Sequence, residues 1–202
     1  MTKIAFVTGG ASGIGAATAR LFKNLGYFVY IGDVQGDKGR ELASALGDAE
    51  FIDLNVREES QFERAFARIM ERHGRLDAMV NNAAIVGVMG PIASLPLEQY
   101  DYSQEIIQRS VVLGTKHAAR IMQPQGSGSI VNVASVAGLT GGYSPHRSPA
   151  TPPLRLFLPA RPYAAWPDHR PPLHAPWQYA RASARPSRRC VWGWRYCPDR
   201  PR

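Results

Sequence analysis

The chain has 202 residues, 45% hydrophobic and 20% charged, which suits one soluble globular core and leaves no apolar run long enough to span a membrane. Lys3 stands directly before the first apolar segment, so no signal peptide is expected; Cys190 and Cys197 make no disulfide framework, and the expected location is cytoplasmic. The net charge of +8 is uneven: residues 147–202 hold eleven arginines and two aspartates with no lysine or glutamate, which leaves the first 146 residues at −1.

Ile4-Ala5-Phe6-Val7 is a short apolar run leading into Thr8-Gly9-Gly10-Ala11-Ser12-Gly13-Ile14-Gly15. Ile14, Ala17, Leu21, Phe22 and Leu25 follow at helical spacing. The pattern is strand, glycine turn, helix. Glycines allow a tight turn and close backbone approach, so the N-terminus of the helix can point its bare N–H groups at a phosphate. Phe28-Val29-Tyr30-Ile31-Gly32-Asp33 is a second strand ending in an acid, 18 residues beyond Gly15. In a dinucleotide-binding unit an acid there accepts hydrogen bonds from the adenosine ribose hydroxyls and repels a 2′-phosphate, which favours NAD over NADP. A solvated strand-end aspartate is the other reading.

A short helix over about 37–46 and a third strand, Glu50–Asp53, come next. Phe62, Phe66, Ile69, Met70 and His73 mark one face of another helix, with His73 read as a helix-end residue beside Gly74 rather than a ligand. Leu76–Ala84 is a buried strand running into a polar turn. A long helix is expected over about 97–122, and Ser129–Ser135 reads as a fifth strand ending in serine. Strands alternating with helices of this length imply right-handed crossovers and a parallel α/β sheet.

These residues resemble a short-chain dehydrogenase/reductase. The likeness rests on the Thr8–Gly15 turn, Asp33, Asp53-Leu54-Asn55-Val56, Asn81-Asn82-Ala83-Ala84, Leu113-Gly114-Thr115-Lys116 and Ser129–Ser135, in the family's order over residues 1–146. It implies a Rossmann-type doubly wound parallel sheet, here with strand order 3-2-1-4-5, and a nicotinamide cofactor used on an alcohol or ketone. Carried over by position, Gly9, Ser12, Gly13, Ile14 and Gly15 meet the pyrophosphate and Asp33 holds the ribose. Asp53 and Leu54 flank the adenine, and Asn81 and Ala83 line the cofactor groove. Asn81 has a second reading, as a tie between neighbouring strands. Ser135 hydrogen-bonds the substrate oxygen.

The resemblance stops within a motif. The family's chemistry needs a tyrosine about 13 residues after the serine and a lysine four further on. The tyrosine hydroxyl exchanges the proton, and the lysine ammonium lowers its pKa. Those positions hold Ser148 and Pro152, and no Tyr-x-x-x-Lys follows. Tyr143 and Arg147 offer Tyr-x-x-x-Arg, and Arg147 would stay charged, but Pro145 between them opposes a helix. Tyr143 is thus a candidate substitute or a residue of the substrate loop. A helix asparagine frequent in the family is replaced by Ile107.

Beyond His146 the composition changes abruptly. Residues 147–202 hold 12 of the 16 prolines and all four tryptophans, with no isoleucine, methionine or asparagine. An irregular Pro/Arg-rich tail is expected, unlike the family's own two strands and tyrosine–lysine helix. Out-of-frame GC-rich codons yield mostly proline, arginine and alanine, which points to a reading-frame shift near codons 146–147. The domains expected are therefore an NAD-binding unit over 1–146 and a disordered tail over 147–202.

Loss of the outer strands leaves Ile130–Ala134 as an apolar sheet edge and puts the family's usual homo-oligomer in doubt. Arginines interleaved with Trp166, Trp177, Trp192 and Trp194 are ingredients for nucleic acid, but no binding motif accompanies them and nucleic acid is not the expected partner. No metal site is expected, since Cys190, Cys197, His169 and His174 match no ligand spacing. The apolar loops 85–95 and 136–146 suit an uncharged alcohol or ketone. The expected activity is that of an NAD-dependent oxidoreductase impaired by the missing pair, with a non-catalytic NAD(H)-binding fragment as the alternative.

Overall fold

Ile4, Ala5, Phe6 and Val7 are all wholly buried in β1 (Lys3–Thr8), and the pleat sends them to opposite sides. Ile4 and Phe6 join one apolar cluster and Val7 another. A strand buried on both faces needs helices on both. The computed structural model, which describes residues 1–88 and 92–135, supplies them. After β1 come α1 (Gly13–Asn24), β2 (Tyr27–Asp33), α2 (Gly36–Leu46), β3 (Ala49–Asp53), α3 (Glu59–His73) and β4 (Ala78–Asn81). Then follow α4 (Leu97–Gln104), α5 (Ser110–Gln125) and β5 (Ser129–Asn132).

All strand pairings are parallel, and the sheet order is β3-β2-β1-β4-β5, the expected Rossmann-type arrangement. One face carries α3 and α5. Phe62, Phe66 and Ile69 pack there with Leu113 and Met122 against Ile4, Phe6, Tyr30 and Met79, and the rings of Phe6 and Phe66 meet edge-on at 5.5 Å. The other face carries α1 and α2, whose Ala19, Leu42 and Ala43 cover Val7, Val29, Ile31 and Val80.

Three elements differ from expectation. In α1 and its C-cap the apolar positions Ile14, Leu21 and Leu25 are exposed, and Gly15 and Ala19 are buried instead. The helix starts hard against the glycine turn, so Gly15 and Ala19 face the sheet in its first turns, and only further along does a large side chain, Phe22, pack against that core. The long helix expected over 97–122 runs to Gln125 and changes pitch, with a π-helical segment at Glu105–Arg109 between α4 and α5. β5 ends at Asn132, although the Val133 N–H still bonds to the Asn81 carbonyl at 2.9 Å. Among the described residues β5 is a sheet edge, with Val131 and Val133 47% and 42% exposed.

α3 stops at His73, where Gly74 takes a left-handed conformation (φ 65°) and returns its N–H to the Met70 carbonyl. The His73 ring packs on Phe28 at 4.8 Å and Tyr30 at 5.7 Å. Burial, then the neighbouring Arg72 charge, holds the imidazole pKa below its ordinary value. Tyr143 and the tail 147–202, including Arg147 and both cysteines, lie outside the described residues.

Candidate active site

The carboxyl ends of β1, β2, β3 and β4 open onto one cleft of about 490 Å³, the place where doubly wound sheets hold ligands. Its floor is clamped by side chains. Thr8 Oγ1 accepts the backbone N–H groups of Asn82 (3.1 Å) and Ala83 (3.2 Å). Asn82 Nδ2 in turn donates to the carbonyls of Thr8 (3.0 Å) and Gly9 (3.1 Å). The ends of β1 and β4 are thereby fixed to each other. Gly9 sits between them at φ 63°, and a Cβ there would lie 2.8 Å from Ala83 Cα. Only glycine fits, on both counts.

α1 begins at the lip of this floor. The N–H groups of its first turn have no carbonyl one turn back, and Ser12 makes no capping bond to them. The first turn carries no acidic residue of its own, which leaves the positive end of the helix unneutralised within the helix. A Cβ on Gly13 would meet nothing within 4 Å, so the chain is open to the cleft there. Gly9, Ser12, Gly13 and Ile14 all line the cleft. Gly15 does not. It is the residue that lets the helix close on the turn, since a Cβ there would lie inside 3.0 Å of the Gly9 carbonyl and of Asn82 Nδ2.

Asp33 closes the side of the cleft formed by β2. It is 6% exposed, and its two oxygens hold the walls in place. Oδ2 accepts the Ala11 N–H of the glycine turn at 2.9 Å, and Oδ1 accepts the Gln35 N–H at 3.0 Å. Each oxygen keeps a lone pair for a ligand hydroxyl. Gln35 reaches back over the turn, its Nε2 3.4 Å from Ser12 Oγ.

Leu54, buried at the end of β3, lines the cleft, but its neighbour Asp53 does not. Asp53 faces a separate depression of about 290 Å³ with Gln61, Arg64 and Arg68. Ala83 lines the cleft, whereas Asn81, 3% exposed, is aimed at the edge strand and at α5. Its Nδ2 donates to Asn132 Oδ1 (2.8 Å) and Thr115 Oγ1 (3.3 Å). That geometry is the tie between strands. Ser135 is exposed just past the end of β5 and is not among the cleft-lining residues.

The far wall holds residues that sequence reasoning missed. Arg57, Tyr102 and Ile106 line it. The Arg57 guanidinium lies 4.6 Å from the Tyr102 ring centroid, and its Nε donates to Glu105 Oε2 at 2.6 Å. No motif announces them. Tyr102 and Glu105 belong to α4 and the π segment, and a long helix gives no sign of which face a change of pitch will present.

The sequence matches the short chain dehydrogenase family over residues 3–146. The chain belongs to that family. Short-chain dehydrogenase reductase 4 of Arabidopsis thaliana is 41% identical over 159 residues, covering 77% of this chain and 53% of that one. (+)-Borneol dehydrogenase 2 of Salvia officinalis is 42% identical over 148 residues, covering 71% and 52%. Xanthoxin dehydrogenase of Arabidopsis thaliana is 38% identical over 151 residues, covering 71% and 53%. The chain thus spans about half the length of the curated relatives it matches. Short-chain dehydrogenases are oxidoreductases that generally use NAD(P). The donor set here fits such a group: a glycine floor that a Cβ would fill, an uncapped helix N-terminus and a carboxylate at the strand end. Among the described residues no helix is long and apolar enough to cross a membrane.

Proposed function

We propose that this short-chain dehydrogenase chain is the NAD(H)-binding part of a cytoplasmic alcohol–ketone oxidoreductase, and that with its present sequence after His146 it binds the cofactor but turns over little or no substrate. The observation that supports the binding reading is Asp33, nearly buried and held by Ala11 and Gln35 at the mouth of the cleft. A carboxylate fixed there welcomes two ribose hydroxyls and repels a 2′-phosphate, so NAD is preferred over NADP.

The bound nicotinamide supplies the hydride donor or acceptor; the rest falls to the chain. The first-turn N–H groups after Ser12 hold the pyrophosphate, Asp33 the ribose, and Leu54 and Ala83 the flanks of the groove. Ser135 donates a hydrogen bond to the substrate oxygen. The proton relay is what the sequence lacks, because positions 148 and 152 are serine and proline. General acid–base groups contribute ~10²–10⁴-fold, and their loss, with that of the lysine charge, removes turnover while leaving the adenosine end intact. Relatives named for (+)-borneol and xanthoxin, together with the exposed Ile85 and Val86 beside the cleft, support a small uncharged alcohol or ketone as the substrate class. The break at His146, where the family match also ends, supports the frame-shift reading.

Calorimetry with NAD and NADP tests the binding reading. Charge-assisted hydrogen bonds are worth ~1.5–3 kcal/mol each, so Asp33→Ala should weaken NAD by at least ~10-fold and narrow its advantage over NADP. NADP binding more tightly than NAD to the unaltered chain would refute the assignment. NADH absorbance over a panel of secondary alcohols and ketones tests the rest: restoring the frame after His146 should raise the rate by orders of magnitude. Equal rates in both would overturn the proposed impairment and return attention to Tyr143 and Arg147.

A further inference from the structure

Glu59 and Glu63 stand one turn apart on α3, and His117 of α5 faces them. One carboxylate oxygen from each glutamate and an imidazole nitrogen lie within 4.8 Å of one another. We propose that these three side chains form a binding site for a zinc-class divalent cation that clamps α5 onto α3. The site is independent of the cofactor cleft and of the oxidoreductase reading.

Geometry carries the proposal. Ligand atoms ~2.0–2.1 Å from a tetrahedral Zn²⁺ sit about 3.4 Å apart. His117 Nε2 and Glu59 Oε1 are 3.2 Å apart, so one edge of the tetrahedron is already formed. His117 is 5% exposed, and its ring is stacked nearly parallel to Phe62 (6.3 Å between centroids, 6° between planes) and close to Phe66 (5.6 Å). Packing has therefore fixed its aim, and little side-chain freedom is lost when it ligates. Glu63 is exposed and Glu59 partly so, which gives the ion a path from solvent and lets Glu63 swing in as the third ligand. Water takes the fourth position.

Charge points the same way. Glu59 Oε1 already draws a cation, the Lys116 ammonium at 2.6 Å. With the imidazole neutral, two carboxylates and one ammonium leave a net charge of −1. The Lys116 side chain is 43% exposed and can release Glu59 to solvent without uncovering core. A donor set of one imidazole and two carboxylates suits zinc or cobalt. Magnesium and calcium prefer oxygen alone. Sequence spacing could not reveal the group, since 58 residues separate Glu59 from His117.

The test uses the full chain after treatment with a chelator. Titration with Co²⁺ should give the visible bands of a four-coordinate site, bleached by one equivalent of Zn²⁺. Glu63→Gln, at an exposed position, should weaken Zn²⁺ by more than the ~10–100-fold that loss of an outer-shell partner costs, with the cooperative melt preserved. Lys116→Gln should tighten it by removing the competing ammonium, an effect that a purely structural role for these residues would not produce. Because Cys190 and Cys197 belong to the same chain, the titration is repeated with both changed to serine and should be unaltered. No Co²⁺ bands at millimolar metal, unchanged affinity in Glu63→Gln, or loss of binding in the serine background would each overturn the proposal.

Discussion

Gly114→Ala probes how α5 is seated on the sheet. A Cβ at this position would lie inside 3.0 Å of Met79 Cε and of Asn81 Oδ1. The methionine tip can move. Asn81 has less choice, being 3% exposed with its amide committed to Asn132 and Thr115. Overpacking a core site costs ~1–3 kcal/mol, and displacing Asn81 forfeits a hydrogen bond worth ~0.5–1.5 kcal/mol. The better helix propensity of alanine returns ~0.8–1 kcal/mol. Net destabilisation of about 1–3 kcal/mol is expected. In urea, where small domains lose ~1–3 kcal/mol per molar, the midpoint should fall by roughly 1 M. Asn81→Ala alone should also destabilise, because it strands the side-chain Oδ1 of Asn132. The double variant should be more stable than the sum of the two by at least ~1 kcal/mol, since the alanine at 114 then occupies vacated space. Additivity within ~0.5 kcal/mol, or a Gly114→Ala protein as stable as the parent, would refute the contact.

Gly15→Ala should abolish NAD binding measured by calorimetry, because its Cβ collides with the Gly9 carbonyl and the turn cannot close; retained affinity would show that the turn is not the binding element. His73 should make stability depend on pH. Its folded-state pKa is depressed by burial, so its contribution is complete above the ordinary histidine value of ~6.5 and is lost as pH falls through the folded value, because the unfolded chain takes the proton first. Urea melts at pH 7.5 and 5.5 should show a smaller acid loss in His73→Phe, which keeps the ring stacked on Phe28; an equal loss in both proteins would refute the assignment.

Strand positions were legible because a strand in a doubly covered parallel sheet is a short apolar run bounded by turn residues, and Ile4–Val7 and Phe28–Asp33 are such runs. The glycine turn was legible for a different reason: its chemistry excludes side chains, and sequence displays that directly. What periodicity could not give was the inward face of α1. Ile14, Leu21 and Leu25 have the right spacing but are exposed; the inward positions near the turn go to Gly15 and Ala19, and of the large residues Phe22 packs on the core. Nor could it separate Asp53 from Leu54. Both end β3, and only the pleat decides that the leucine faces the cleft and the aspartate the depression beside it. Arg57, Tyr102 and Glu105 meet across 48 residues through a π segment, a pitch change with no residue signature of its own.

The hydrogen bonds that shape the cleft share one property. Thr8 with Asn82 and Ala83, Ala11 with Asp33, Gln35 with Ser12, and Arg57 with Glu105 all join residues between 8 and 105. The lining residues themselves run from Gly9 to Ile106. Asn81 adds a side-chain tie to the backbone pairing of β4 with β5, and it bonds behind the cleft wall rather than through it. The cleft is lined from the ends of β1 to β4 and the helix starts between them, whereas Ser135 stands three residues beyond the end of β5.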